Sequence, residues 1–360
     1  MTRRLTLVIH SLEGGGAERI AAWMANHWCE QGDQVTLITL AAVGTDQYRV
    51  AAGVRRIGLN LLSVSRNSFQ AVARNLLRVK RLAAAIADSQ PERIVSFTDK
   101  TNVLALLACR GQAVRPIAYE LVDPRHHDIG TVWSWLRRWT YPSARALVVQ
   151  TAAVRDWFRS WLPRLPIFVI PTGVPAPTPV AVAKPPHPHL LAVGRLEPQK
   201  GFDLLIDAFS RIAATHPDWH LWIAGEGSQH VVLAREIRRR GLENRIHLLG
   251  RVAEPELLMR QAELFVLSSR YEGFPTALLE AMAHGLPAVC FDCPSGPAEI
   301  VRHSQDGILV PPEDVSALAA ALARLMDDPN LRRSMGQQAQ DVVQRFSAEQ
   351  FFRRWEEALA

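Results

Sequence analysis

Residues 5–40, LTLVIHSLEGGGAERIAAWMANHWCEQGDQVTLITL, decide the fold. The run 5–10 is continuously apolar and rich in β-formers, the pattern of a strand covered on both faces. Residues 11–16 form a glycine loop, 17–31 read as a helix, and 34–40 form a second β run. Strand, loop, helix and strand make a βαβ unit, with the loop at the strand's carboxyl end, where open α/β sheets bind ligands. The loop is not a Gly-x-Gly-x-x-Gly fingerprint, and no Gly-Lys-Ser/Thr follows to make it a P-loop. Gly14, Gly15 and Gly16 allow a ligand to approach the backbone closely, and they also suit a plain tight turn.

The same rhythm continues outward. A helix is predicted over 68–88, a strand over 93–97, a helix over 101–110 and a strand over 115–119. That strand delivers Glu120, Asp123, Arg125, His126 and His127 to the carboxyl edge, a candidate site of acids, imidazoles and a cation. Residues 131–141 (TVWSWLRRWTY) put three Trp and two Arg on a short helix, followed by a strand at 146–149, a helix at 152–161 and a strand at 167–170. Seven prolines within residues 171–188 exclude a helix or central strand there. The pattern then restarts. Strands are expected at 189–193, 219–224, 245–248, 264–268, 288–291 and 307–310, with helices at 201–215, 229–240, 255–261, 276–284, 296–302, 315–326, 330–345 and 348–359. The expected architecture is α/β, two doubly wound Rossmann-like domains facing across a cleft: 1–174, a Pro-rich linker 175–188, 189–345, and a C-terminal helix 346–360 crossing back to the first domain.

A chain of 360 residues, 48% hydrophobic and 21% charged, is globular and long enough for two cores. Four cysteines are too few for a disulfide scaffold, and Cys290-x-x-Cys293 has no second pair at zinc-site spacing, so these read as structural thiols in a reducing compartment. The apolar run after the basic N-terminus stops at His10, too short for a signal peptide, and the longest apolar runs are seven residues. A cytoplasmic location is expected. Residues 1–178 hold 22 Lys and Arg against 12 Asp and Glu, a net of +10, while residues 179–360 hold 19 against 23, a net of −4. The first half is therefore suited to an anionic partner.

Residues 268–287, SSRYEGFPTALLEAMAHGLP, carry the chemistry. Pro275 suits a first helical position, and Gly285 and Pro287 close the helix. Glu272 then precedes the helix, Glu280 sits in its second turn, and the unpaired amides between them can hold a phosphate. One acid can hold a sugar, the other a ribose, with a diphosphate between. Arg195 and Lys200, in GRLEPQKG after the first strand of the second domain, can neutralise that diphosphate. The strand ends AGEGS (224–228) and GRV (250–252) suit backbone contacts to a nucleoside.

These segments, with DCPSGPAEIV, GGGAER and IPTGV, resemble the family 4 retaining glycosyltransferases of GT-B fold over the whole chain. The resemblance implies transfer of a sugar from a nucleotide-sugar donor with retention, without cofactor or metal, and no Asp-x-Asp metal clamp is present. It implies catalytic roles for Arg195, Lys200, Glu272 and Glu120, and donor contacts from Gly15, Gly16, Gly194, Gly225, Gly227, Arg251, Gly273, Phe274, Pro275, Thr276 and Glu280. Gly14, Asp123, Arg125, His126 and His127 are then candidates for the acceptor. Bacterial members acting on lipid-linked glycans carry a Ser-Glu-Arg-Asn-Asp-Pro-like segment, of which this chain keeps Glu120, Asp123 and Pro124. That branch implies a UDP-HexNAc or UDP-hexose donor and a polyprenyl-diphosphate-linked acceptor at the inner face of the membrane.

Three other classes compete. A dehydrogenase lacks its fingerprint, and a nucleic-acid-binding protein leaves the 268–287 chemistry without a purpose. A non-hydrolysing UDP-sugar 2-epimerase shares architecture and donor. An anionic membrane surface accounts for the basic half, with Arg74, Arg78, Lys80, Arg81, Arg137 and Arg138 beside Trp133, Trp135 and Trp139 expected to dock on it.

Overall fold

The apolar runs become strands of two all-parallel sheets. The computed structural model describes residues 2–62, 67–178 and 180–360, with Ser68 and Phe69 described for the backbone alone. The chain divides into two compact units, Met1–Pro171 with Arg353–Ala360, and Thr172–Phe352. Pro179, in the expected linker, lies outside the described residues.

The first unit carries β1 (Arg4–Ile9), β2 (Gln34–Thr39), β3 (Arg55–Gly58), β4 (Arg93–Phe97), β5 (Ile117–Tyr119), β6 (Ala146–Val149) and β7 (Ile167–Val169). Its helices are α1 (Gly16–Glu30), α2 (Ser68–Asp88), α3 (Asp99–Ala108), α4 (Thr131–Thr140) and α5 (Ala152–Arg159). The strand order is β3-β2-β1-β4-β5-β6-β7, so the winding reverses between β1 and β4. In β1 and β2 one exposed residue is followed by five buried ones, which is how a strand reads when helices cover both faces. Two apolar clusters supply the core: Leu147, Val149 and Phe158 belong to one, and Val8, Ile38 and Leu82 to the other.

The second unit repeats the plan with β8 (His189–Val193), β9 (His220–Ala224), β10 (Ile246–Gly250), β11 (Leu264–Leu267), β12 (Ala288–Phe291) and β13 (Gly307–Val310). Their order is β10-β9-β8-β11-β12-β13. The helices are α6 (Phe202–Ile212), α7 (His230–Arg239), α8 (Pro255–Gln261), α9 (Thr276–Ala283), α10 (Pro297–Ile300), α11 (Val315–Asp327), α12 (Pro329–Ala339) and α13 (Val342–Arg345). The last helix, α14 (Ala348–Leu359), ends among residues of the first unit. There Trp355 is fully buried, with ring centroids 6.1 Å from Trp28 and 5.0 Å from Tyr119.

Two local expectations change, and one strand was not anticipated. The edge strand β3 (RRIG) has no apolar signature, because it is held by backbone pairing with β2 and by Arg56, which bonds back to Leu37 O and Thr39 Oγ1 of β2. Arg56 there binds Asp46 at 2.8 Å. The helix expected over 330–345 breaks after Ala339, and Asp341 turns its carboxylate to Arg302 at 2.8 Å. The helix expected over 296–302 shrinks to Pro297–Ile300, since Arg302 N–H donates to Asp306 at 2.7 Å instead of extending it. Cys290 and Cys293 are free and buried, and burial pushes the Cys293 thiol up to about 12, as for a structural residue.

Candidate active site

Parallel strands share one carboxyl edge, so the strand order turns distant motifs of the second unit into neighbours. Along β10-β9-β8-β11-β12 the successive tips carry Arg251, then Gly225 to Ser228, then Arg195 to Lys200, then Ser268 to Thr276, then Ser295. Gly194 N–H donates to Ala224 O at 3.0 Å and Leu196 N–H to Glu226 O at 2.8 Å, holding the β8 and β9 tips together. They lie so close that a Cβ on Gly225 would stand 1.9 Å from Gly194 O, and one on Gly227 2.5 Å from Leu196 O. Only glycine fits at both positions. Glu197 receives Ser228 N–H and Oγ–H at 3.0 and 2.8 Å, and these bonds hold its carboxyl below the usual range.

The central feature is an ion pair. Lys200 Nζ donates to Glu272 Oε1 at 2.6 Å, and Ser269 Oγ–H donates to the same oxygen at 2.6 Å. Glu272 is 5% exposed, whereas Arg195 stands exposed at the β8 tip. The loops bearing the pair are laced together, with Gln199 Nε2 donating to Tyr271 O at 2.9 Å and Ser268 Oγ to Lys200 O at 2.9 Å. Gly273, Phe274 and Pro275 are buried beneath the loop, Phe274 edge-on to Phe346. Thr276 opens α9 and no side chain caps that helix, so its first amides are offered to a ligand. Glu280 is half-buried in the second turn of α9.

The first unit places its candidates at its own carboxyl edge. At the β1 tip, Gly14 has a φ of 120°, and Gly15 accepts from Arg19 N–H and from Tyr48 Oη–H at 3.1 and 3.2 Å. Gly16 opens α1, and Glu18 folds its carboxylate back over Gly15 to pair with His10 Nε2 at 3.0 Å. The β5 tip carries Glu120, which is 3% exposed and accepts a hydrogen bond from the Tyr141 hydroxyl. Arg137 Nε lies 3.8 Å from the same oxygen, and Arg137 Nη2 4.0 Å from Asp99. Burial raises the Glu120 carboxyl to about 7, against the pull of Arg137. Asn102 donates to both Tyr119 O and the Tyr141 hydroxyl at 3.2 Å. Asp123, fully buried, is gripped by Arg125 at 2.6 Å, while His127 faces Asp99 at 3.4 Å and His126 N–H donates to Asp123 O at 3.1 Å.

Arg137 is therefore corrected from a membrane contact to an interior residue, 4% exposed, because the apolar side of α4 packs inward and Glu120 and Asp99 compensate the charge. Arg138 lies over Trp161, and Trp133 is half-buried against the core. Trp135 and Trp139 stay exposed at 62% and 46% and stack on each other.

Several residues were not read from the sequence: Thr98, Asp99, Asn102, Tyr141, Ser269, Glu18 and His10. Thr98 was visible only as the residue after a strand beside the reversal point. It has φ 68° and ψ 153°, a region almost reserved for glycine, and its N–H donates to Tyr119 O at 3.0 Å. Among the described residues, no group of three or more His, Cys, Asp or Glu side chains is arranged to hold a metal ion, and no helix is long and apolar enough to cross a membrane.

The sequence profile of glycosyltransferase family 4 matches residues 14–176, and that of glycosyl transferases group 1 matches residues 180–342. An exopolysaccharide phosphotransferase of Streptomyces coelicolor is 35% identical over 284 residues, 77% of this chain, which spans 27% of that relative's length. A Campylobacter jejuni α-1,4-N-acetyl-D-galactosaminyltransferase, named for a diNAcBac-PP-undecaprenol-linked substrate, is 24% identical over 99% of this chain and 98% of its own. Among solved structures, S. aureus TarM in complex with UDP superposes with a TM-score of 0.82 at 13% identity, covering 99% of this chain and 100% of that one. Two profiles that together cover nearly all of both units, and a fold shared over full length, give one conclusion: this chain is a family 4 glycosyltransferase with the GT-B fold.

Proposed function

We propose that the enzyme transfers a hexosyl or N-acetylhexosaminyl group from a UDP-sugar to a polyprenyl-diphosphate-linked glycan, with retention at the anomeric carbon and without a metal. The observation that carries this reading is the Lys200–Glu272 pair at 2.6 Å, whose lysine shares the β8 tip with the exposed Arg195. Breaking the bond from the anomeric carbon to the phosphate oxygen leaves negative charge on the departing UDP and positive charge on the ring. Arg195, Lys200 and the first amides of α9 are donors fixed before that charge develops, which is how a protein lowers such a barrier. Glu272 holds the sugar hydroxyls beside the reacting carbon, and Glu280 the ribose. The acceptor hydroxyl attacks from the face the UDP leaves, forming the new bond to carbon while its proton passes to the departing phosphate oxygen.

On the acceptor side, Gly14, Asp123, Arg125, His126 and His127 are the contacts, and Glu120 organises them from within. The membrane surface meets Val132, Trp135 and Trp139 of α4, with Val72, Leu76 and Leu77 exposed on α2 beside Lys80 and Arg81. The named substrate of the Campylobacter relative and the UDP bound by TarM support this choice of substrates.

A panel of UDP- and GDP-sugars, assayed for donor hydrolysis and then by mass spectrometry with lipid-linked acceptors, tests the reaction. UDP-sugars should turn over, a chelator should leave the rate unchanged, and the product should be the α-anomer from an α-donor. Turnover restricted to GDP-sugars, epimerisation without an acceptor, or an inverted product would each overturn the corresponding part. For the membrane surface, anionic vesicles should retain the protein at low salt and release it at high salt. Equal retention on neutral vesicles would count against it.

A further inference from the structure

A second cluster of cations lies in the second unit at the opposite edge of the sheet from the site above. It surrounds a cavity of about 170 Å³ lined by Lys184, Arg260, Glu263, His284, Arg332 and Arg333, among others, next to the amino-terminal ends of β11 and β12. Four permanent cations thus face one carboxylate, with Asp328 close enough to act on Arg332.

The cations are already held in place. Lys184 Nζ reaches Gln261 O at 3.3 Å, Ala262 O at 3.4 Å and Glu263 at 3.2 Å, Arg332 stacks over Trp219 at 4.9 Å and its Nη1 donates to Leu325 O and Met326 O at 2.6 and 2.9 Å, and Arg260 donates to Thr178 O. A guanidinium has five N–H donors in a fixed fork, so these anchors leave others available. Among the described residues, two buried polar atoms on the cavity's lining residues have no hydrogen-bond partner, Arg332 Nε and His284 Nε2. The His284 Nδ1 lies 2.9 Å from Glu280 O, which can only accept, so Nδ1 carries a proton, and in the neutral imidazole Nε2 is an acceptor. Buried polar atoms of native proteins nearly always find a partner. The missing one must satisfy N–H donors and positive charge on one side and offer a hydroxyl on the other.

We propose that this cavity binds a small phosphorylated carbohydrate, its phosphoryl group among Lys184, Arg332 and Arg333 and a hydroxyl donating to His284 Nε2. Planar Arg forks recognise phosphate oxygens in this way. The volume is well below the roughly 300–1,000 Å³ of drug-sized sites, which limits the ligand to about one sugar ring. The site is distinct from the donor site, although His284 also receives the end of α9, the helix that begins at Thr276 and carries Glu280.

Calorimetry of the full chain, with the donor site saturated by UDP, tests this using inorganic phosphate and glucose 1-phosphate as probes. Both should bind, the sugar phosphate more tightly. Lys184→Ala and Arg333→Ala, at exposed positions, should each weaken binding about tenfold while leaving UDP affinity unchanged, and His284→Phe should erase the preference for the sugar phosphate. Tight binding of inorganic phosphate alone would reduce the ligand to free phosphate and overturn the carbohydrate assignment. Absence of millimolar binding by either probe, displacement of both by UDP, or wild-type affinity in both cation variants would overturn the site. Failure of UDP itself to bind would instead count against the donor assignment above.

Discussion

Two buried carboxylates, one at the carboxyl edge of each sheet, have been given opposite partners. Glu272 in the second unit meets a lysine ammonium and a serine hydroxyl, each at 2.6 Å on the same oxygen. Glu120 in the first unit meets a neutral phenol, with its nearest cation, Arg137, at 3.8 Å. A cation in hydrogen-bond contact stabilises a carboxylate strongly in a dry site, and one further off, itself buried, compensates only part of the lost hydration. So Glu272 is held in direct contact with a lysine and a serine donor. Glu120, raised to about 7, is arranged to change protonation near neutrality. The first arrangement suits holding a substrate against developing charge. The second suits a group that organises its surroundings.

The harshest way to break this comparison is to remove Lys200. Lys200→Ala should lower kcat on the order of 10²–10³-fold, and Arg195→Ala should do the same. Lys200→Ala should also cost about 3 kcal/mol in denaturant titration, because Glu272 is left buried and unpaired, whereas exposed Arg195→Ala should leave stability near wild type. The double variant Lys200→Met/Glu272→Leu should regain most of that stability and none of the activity. Near-normal turnover in both single variants would sink the catalytic assignment.

Glu120 is next. Its carboxyl is raised in the folded state, so the stability associated with it is fully present below about pH 4.5 and is lost as pH rises through about 7. Glu120→Gln should therefore gain on wild type by on the order of 2 kcal/mol between pH 5 and 8, measured by denaturant midpoints across that range. Parallel pH profiles would refute the assignment. Tyr141→Phe removes the phenol that donates to Glu120 and should cost about 1–2 kcal/mol, with the pH dependence of stability altered and not merely displaced. The smallest effect is expected at Thr98, where glycine relieves a positive φ. Thr98→Gly should raise stability by up to about 1 kcal/mol, read as a shift in thermal midpoint, since the strain released slightly exceeds the added chain entropy.

Much of the second unit's site was legible because its parts are local. Glu272 before a helix and Glu280 within it lie in one stretch, with Pro275 one place earlier than expected, at the N-cap and not the first helical position, and helix geometry orders them without reference to the rest of the chain. Arg195 and Lys200 were legible as cations at a strand tip, but their distance from Glu272 was not. The first unit's network was far less legible. Asp99 and Asn102 sit on α3, Arg137 on α4 and Tyr141 just after it, with no motif linking them, and Arg137 in a Trp-rich helix reads as a surface cation until Glu120 is placed beside it. The edge strand β3 escaped for a related reason, being held by pairing with β2 and not by apolar periodicity.

By itself the sequence determined the number of units, their βαβ rhythm and the order of Glu272, the helix and Glu280 in the 268–287 stretch, because strand runs, glycine turns and helix caps act over a few residues. Only the tertiary structure decided which charges meet. Strand order brings the β8 and β11 tips side by side and so pairs Lys200 with Glu272 across 72 positions of chain. It also buries Arg137 with Glu120, since the pairing of two desolvated charges depends on a distance in space that no local pattern encodes.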